Sequence, residues 1–377
     1  MGFFVGVYRW FGSVVDSFFV HFGMRYSVMV MVLLFLASCQ ERYHEQRQEA
    51  HPTKAVSEWT GSKITGVNLE MPAREIDSSR MLQVQSAGAS WVSMIPYAIT
   101  RSGGAKVEYN HNGYWWGESI EGTKKCIQMA RLGGFKIMLK PHVWVIDDGW
   151  PGKFDAGTEE RWQLWEASYR AYILEFAVLA AEEEVELFCI GTEYRIAVVK
   201  RPEFWRKLIA EVREIYKGKI TYAANWDNYE RVTFWSELDY VGIDAYFPLS
   251  KSKEPTLKEL KAKWNELSEQ LGAFSDKVSK SIVFTEYGVR SMDHANAGRW
   301  GDYDKVKPNM RNQKVYYQSF FETIWQKDWM EGGFFWKWRL LDIDGRPIGG
   351  EKDDDYTPQG KPALHTISDW YCRSSGQ

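Results

Sequence analysis

The sequence predicts an α/β protein folded as a closed (β/α)8 TIM barrel. Three observations carry that prediction. Eight short apolar runs punctuate the chain from about residue 60 onward, helical stretches lie between them, and long loops follow only some of the runs. Alternation of this kind builds a parallel sheet with helices outside it.

The runs are, in order, "KITGVNL" (63–69), "SWVSMIPYA" (90–98), "FKIMLKPHVWV" (135–145) and "VELFCIG" (185–191). They continue with "KITYAA" (219–224), "LDYVGIDAYF" (238–247), "KSIVFTE" (280–286) and "GGFFWKW" (332–338). Each is apolar nearly throughout instead of alternating, as parallel strands covered on both faces should be. Between them, "GTEERWQLWEASYRAYILEFAVLAAEEE" spaces its apolar residues by three and four, the period of a helix with one buried face. "PTLKELKAKWNELSEQLG" opens with Pro255 and a Thr256…Glu259 capping box, and its end is predicted at Gly272. An open doubly wound sheet is the competing arrangement, but no Gly-x-Gly-x-x-Gly turn follows the first run. The long loops follow runs two, three, seven and eight, so all fall on the C-terminal side of the barrel, where such folds keep their chemistry.

Composition narrows the function. The net charge is only -3 and no basic block occurs, which argues against a nucleic-acid partner. Aromatic residues make up 16% of the chain, with 19 Trp, and beyond core packing this predicts a surface that stacks on sugar rings. Cys126, Cys189 and Cys372 form no Cys-x-x-Cys pair, and the His residues form no His-Glu-x-x-His pattern. Neither a disulfide framework, a metal nor a cofactor is expected, and Cys189 reads as a core thiol. The protein is expected to be a monomer.

The N-terminus reads as a targeting segment. Arg25, an apolar stretch from Val28 to Ala37 and Leu36-Ala37-Ser38-Cys39 resemble a bacterial lipobox, in which the lipidated Cys39 becomes the mature N-terminus. Residues 1–39 are therefore assigned as a lipoprotein signal, with Met24 as an alternative start. Residues 40–58 are polar and aperiodic and read as a flexible tether; 59–377 form the barrel. The implied location is the bacterial cell envelope, with a lipid anchor in the membrane.

Two runs end in the same triplet. "LFCIGTEYR" places Glu193 at the end of the fourth strand, and "VFTEYGVRS" places Glu286 at the end of the seventh. A strand end in an apolar run is a costly place for a carboxylate, and two such ends facing each other across a barrel mouth suit glycoside hydrolysis. One carboxylic acid protonates the leaving oxygen and one carboxylate attacks the anomeric carbon, about 5–5.5 Å apart where configuration is retained. At ~5 Å and an effective dielectric of ~20, two carboxylates repel by about 3 kcal/mol, roughly two pKa units, enough to keep one protonated near neutrality.

Together with "KPHVW", "YAANWD", "YVGIDAYFP" and "FFWKW", these motifs resemble the retaining (β/α)8 glycosidases of clan A, and most closely glycoside hydrolase family 113, characterised as β-mannanases. The likeness runs from about residue 60 to 370. It implies Glu193 as acid/base and Glu286 as nucleophile. Thr192 departs from the Asn that many clan members place before the acid/base, where it binds the sugar 2-hydroxyl. Tyr246 resembles the clan tyrosine that hydrogen-bonds the nucleophile, with packing at the barrel rim as its alternative. His142, Trp144, Asn225 and Trp226, at the ends of strands three and five, are expected to line the sugar site or to fill the barrel top. Trp336 resembles the aromatic floor next to the cleaved bond, and Trp115 and Trp116 extend the cleft. Asp353, Asp354 and Asp355 read as a solvated loop in preference to a calcium site. The expected activity is retaining hydrolysis of a β-linked polysaccharide or oligosaccharide, β-1,4-mannan first, with endo cleavage. Exo action, another β-glycan, or a lipoprotein that binds glycan without cutting it are the alternatives.

Overall fold

The computed structural model describes residues 63–101, 104–110, 114–146, 150–298, 306–342 and 348–374. The lipobox, Cys39 and the tether lie outside the described residues, and Gly61–Gln377 form one compact unit. Its strands are β1 (Ile64–Glu70), β2 (Trp91–Met94), β3 (Tyr97–Arg101), β4 (Lys136–Leu139), β5 (His142–Ile146), β6 (Leu187–Thr192), β7 (Lys219–Asn225), β8 (Val241–Asp244), β9 (Ile282–Tyr287) and β10 (Met330–Arg339). Eight of them close a parallel barrel in the order β1-β2-β4-β6-β7-β8-β9-β10, with β10 pairing back onto β1. Closure rules out the open sheet.

The second and third predicted runs each split in two. Pro96 and Pro141 lack the N–H a ladder needs, and there the chain leaves the wall. Pairing survives the break: Lys140 N–H donates to Met94 O at 2.9 Å and His142 N–H to Pro96 O at 3.0 Å. Beyond it, β3 and β5 run on as a two-stranded parallel ribbon, Tyr97 opposite His142 and Ile99 opposite Trp144.

The helices are α1 (Ser78–Leu82), α2 (Ile120–Leu132), α3 (Glu159–Glu182), α4 (Ala197–Lys200), α5 (Pro202–Ile215), α6 (Leu257–Val278), α7 (Met310–Phe321) and α8 (Pro362–Ser374). The capping box at Thr256 and Glu259 forms as predicted, but α6 does not stop at Gly272. It continues to Val278 and ends on Ser279 in the left-handed conformation. Gly272 is in the helix for packing: a Cβ there would lie 2.9 Å from the Trp329 indole nitrogen.

Two apolar layers result. A small cluster of Ile64, Met138, Leu187, Val283 and Phe334 fills the barrel interior, Phe334 occupying the space that a side chain at Gly66 would need. The large layer packs strands against helices and absorbs most of the aromatic surplus, including fully buried Trp165, Trp205, Trp264 and Trp325. Tryptophan content therefore reports mainly on the core. Trp115 and Trp144, at 39% and 50% exposure, are the described tryptophans that stand out into solvent.

Candidate active site

Above the apolar plug, the strand ends bring charged groups together. Glu193 directly follows β6, with φ at 56°, a left-handed backbone that costs a non-glycine residue about 1–2 kcal/mol. Its N–H bonds the Ala223 carbonyl of β7 at 2.8 Å, which fixes the turn. The Trp150 indole N–H, from the loop after β5, donates to its carboxyl at 2.6 Å. Burial, then the charges of Asp244 and Glu286, hold the Glu193 carboxyl well above the usual range, against the pull of Lys140 and Trp150.

Glu286 sits within β9 and is 6% exposed. The Tyr246 hydroxyl donates to Oε2 at 2.6 Å, and the Lys140 ammonium contacts Oε1. The two glutamates thus differ sharply: one is served by a neutral indole, the other by a cation and a phenol. That asymmetry favours a protonated Glu193 and sets a cation against Glu286.

Two further charges complete the cluster, and the sequence reading passed over both. Lys140, at the Pro141 break, is fully buried, as is Asp244 at the end of β8. Lys140 Nζ lies 3.3 and 3.4 Å from the Asp244 oxygens, and the Thr285 hydroxyl donates to Asp244 Oδ1 at 2.7 Å. Burial alone would lower the lysine, but Asp244 and then Glu286 hold it well above its ordinary value. Burial and the Glu286 charge push Asp244 up to about 7, with Lys140 and Thr285 opposing. The sequence signal was the one that exposed Glu286, a charge inside an apolar run: "MLKPH" and "VGIDAY" both carry it.

The remaining predicted residues divide. His142 is buried, with its ring 4.8 Å from that of Tyr97. Burial and the Lys140 charge push it down to about 3, so it is neutral at pH 7, and its Nδ1 donates to the Val143 carbonyl at 3.1 Å. Tyr97 is itself close enough to feel the charges of Glu286, Glu118, Glu70 and Glu193, which places the base of the ribbon at the site. Trp144 lies two residues further out and is half exposed. Asn225 gives its amide to Asp227 at 2.8 Å, and Asp227 pairs with Arg195 at 3.2 Å. Trp226 packs at a tilt on Phe247, ring centres 5.9 Å apart, and against the main core. Trp336 is partly exposed, with Lys337 Nζ 5.7 Å from its ring centre and the Trp336–Lys337 peptide cis.

Asp353, Asp354 and Asp355 are not simply solvated. Asp354 pairs with Arg290 at 2.8 Å, Asp353 with Lys361 at 3.4 Å, and Asp355 with Arg339. Their charges tie the last loop to the barrel rim, where Lys337 also pairs with Glu70. Among the described residues no group of three or more His, Cys, Asp or Glu side chains is arranged to hold a metal ion.

A half-buried acid and a buried carboxylate at the mouth of a closed barrel are what hydrolysis of a glycosidic bond requires. The family model for Glycoside Hydrolase Family 113 matches residues 71–361. The chain belongs to glycoside hydrolase family 113. This family lies within clan A, and the chain is accordingly a glycoside hydrolase. Among solved structures, the family 113 β-mannanase of Alicyclobacillus acidocaldarius, in complex with ManMIm, superposes with a TM-score of 0.72 at 23% identity, covering 82% of this chain and 97% of that one. A second family 113 β-1,4-mannanase gives 0.70 at 24% identity, covering 82% and 99%. The β-glucuronidase of Ruminococcus gnavus is more distant, at 0.56 and 15% identity, covering 82% of this chain and 50% of its own. At these identities the likeness is one of fold. No curated protein sequence matches the chain.

Proposed function

We propose that this family 113 enzyme is a retaining endo-β-1,4-mannanase in which Glu286 is the nucleophile and Glu193 the acid/base. The observation that carries the roles is the asymmetry of their partners: Lys140 and Tyr246 on Glu286, the Trp150 indole on a burial-raised Glu193. In the first step a Glu286 oxygen attacks the anomeric carbon while Glu193 gives its proton to the departing oxygen. The glycosyl ester removes the Glu286 charge, so the new Glu193 carboxylate is free to take a proton from water, which displaces the ester. Trp336, Trp226 and His142 supply the apolar walls against which a sugar ring packs, and Trp144 extends that surface outward along the ribbon.

Mannan as substrate is supported by family membership and by the β-mannanases that share the fold. The enzyme is further proposed to be held at the bacterial envelope by a lipid on Cys39, which rests on the lipobox pattern. The deciding experiment is a time-resolved product profile on mannan, glucomannan, xylan, cellulose and β-1,3-glucan, with proton NMR of the first anomer released. β-Anomer released from mannan as a ladder of oligosaccharides is expected. Initial α-anomer would exclude retention, single-sugar release would exclude endo cleavage, and preference for another polymer would exclude mannan.

A further inference from the structure

One ammonium here serves two carboxylates, close to one and slack on the other. Lys140 Nζ is in contact with Glu286 Oε1, yet stands 3.3 and 3.4 Å from the Asp244 oxygens, beyond the ~2.7–2.9 Å of a tight charge-assisted bond. Lys140 and Asp244 are fully buried, so water cannot replace either partner. Asp244 is held in place by the Thr285 hydroxyl at 2.7 Å.

The reaction changes the charge on only one of these two carboxylates. As the Glu286 oxygen bonds to the anomeric carbon, the glycosidic bond breaks and its electron pair leaves with the departing oxygen. That oxygen takes the Glu193 proton. Glu286 passes from anion to neutral ester, Glu193 from neutral acid to anion, and total charge is conserved. The negative charge has moved away from Lys140. An ammonium paired with Glu286 alone would then be stranded in a dry interior, among the costliest arrangements a protein can hold.

We propose that Asp244 is the positioning residue to which Lys140 transfers its ion pair when Glu286 is esterified, and that it thereby stabilises the glycosyl-enzyme. The inference rests on the double-displacement reading given above. A flexible four-carbon stem lets the ammonium make the short move.

The test uses 2,4-dinitrophenyl β-mannoside, whose leaving group needs no protonation, in rapid-mixing experiments. Wild-type enzyme is first trapped with a 2-fluoro mannosyl donor and digested for mass spectrometry. Absence of an adduct on Glu286 would remove the double-displacement reading itself, before Asp244 is tested. With that adduct found, Asp244→Asn keeps the shape and the acceptor for Thr285 but loses the charge. It should lower kcat/KM by about a hundredfold or more, abolish the pre-steady-state burst, and raise KM towards simple substrate affinity. The double variant Lys140→Met/Asp244→Asn removes the stranded cation as well, and should recover part of the burst. An unchanged burst in Asp244→Asn, or a double variant no better than the single one, overturns the proposal. If Asp244→Asn fails to fold, Asp244→Glu, which retains the charge, should keep the burst; a folded Asp244→Glu enzyme without it overturns the proposal equally.

Discussion

Glu118 offers the sharpest quantitative test of the electrostatics at the barrel mouth. It ends the short turn Trp116–Glu118 in the loop before α2, and Tyr97 senses its charge together with those of Glu286 and Glu193. Burial, opposed by the Trp115 N–H and helped by Glu70, pushes its carboxyl up to about 7 from 4.5. Because the folded-state value is the higher one, the native protein binds this proton more tightly than the unfolded chain does. Its contribution is complete below about pH 4.5 and is lost as pH rises through about 7. At about 1.36 kcal/mol per unit, the total loss is at most about 3 kcal/mol. Glu118→Gln cannot ionise, and its amide oxygen still accepts the Trp115 N–H. The variant should match wild type at pH 4.5 and exceed it by about 1–3 kcal/mol at pH 8, a gain in Tm on the order of 2–6 °C. Asp244 and His142 titrate with pH in both proteins and cancel in the difference. Paired thermal melts from pH 4.5 to 8 measure it directly. A gap that stays constant across that range would mean that Glu118 ionises as an ordinary surface carboxylate, and the reasoning would fail.

Three further outcomes are expected. Azide added to Glu193→Ala acting on an activated aryl glycoside should yield the β-configured glycosyl azide, and azide added to Glu286→Ala the α-configured one; swapped products would reverse the two roles. Tyr246→Phe deletes the 2.6 Å bond to Glu286, a charge-assisted contact worth about 1.5–3 kcal/mol, so kcat/KM should fall by about 10–150-fold with Tm nearly unchanged. Cys39→Ser should free the protein from the membrane fraction or leave it unprocessed, and unchanged fractionation with unchanged lipid labelling would contradict the anchor.

Burial on both faces is what made the strands legible. A parallel strand inside a closed barrel has no solvent side, so "VELFCIG" and "KSIVFTE" read as unbroken apolar runs and lie where predicted. The ribbon was less visible, since β2 and β3 form one apolar run and only Pro96 marks the exit from the wall. Gly272 misled because a helix-ending glycine and a glycine that admits a neighbouring indole look alike in sequence; only Trp329, far along the chain, separates them. The tryptophan count could not say which residues serve which purpose, as stacking against a sugar and packing around Trp165 and Trp205 in the core call for the same residue. Glu118 had no local signal, because it lies in no apolar run and its burial appears only in the folded chain.

The charge-in-an-apolar-run rule that found Glu286 would also have found Lys140 and Asp244, but it needs a direction to be useful. Lys63 satisfies it too, being 5% exposed and starting the first run. It enters β1 at the N-terminal end and spends its ammonium on backbone carbonyls, Lys327 O at 3.1 Å and Met330 O. Burial pushes it down to about 8, against the charges of Glu331 and Asp328. Such a lysine satisfies carbonyls at the N-terminal end of the barrel, away from the buried carboxylates. Lys140, Asp244 and Glu286 stand at the C-terminal ends of their strands, with one another as partners. A buried charge that caps backbone carbonyls where a strand begins is there for the fold. One whose partner is a second buried charge, at the open end, has a cost that the fold alone does not explain, and that cost is where chemistry should be sought.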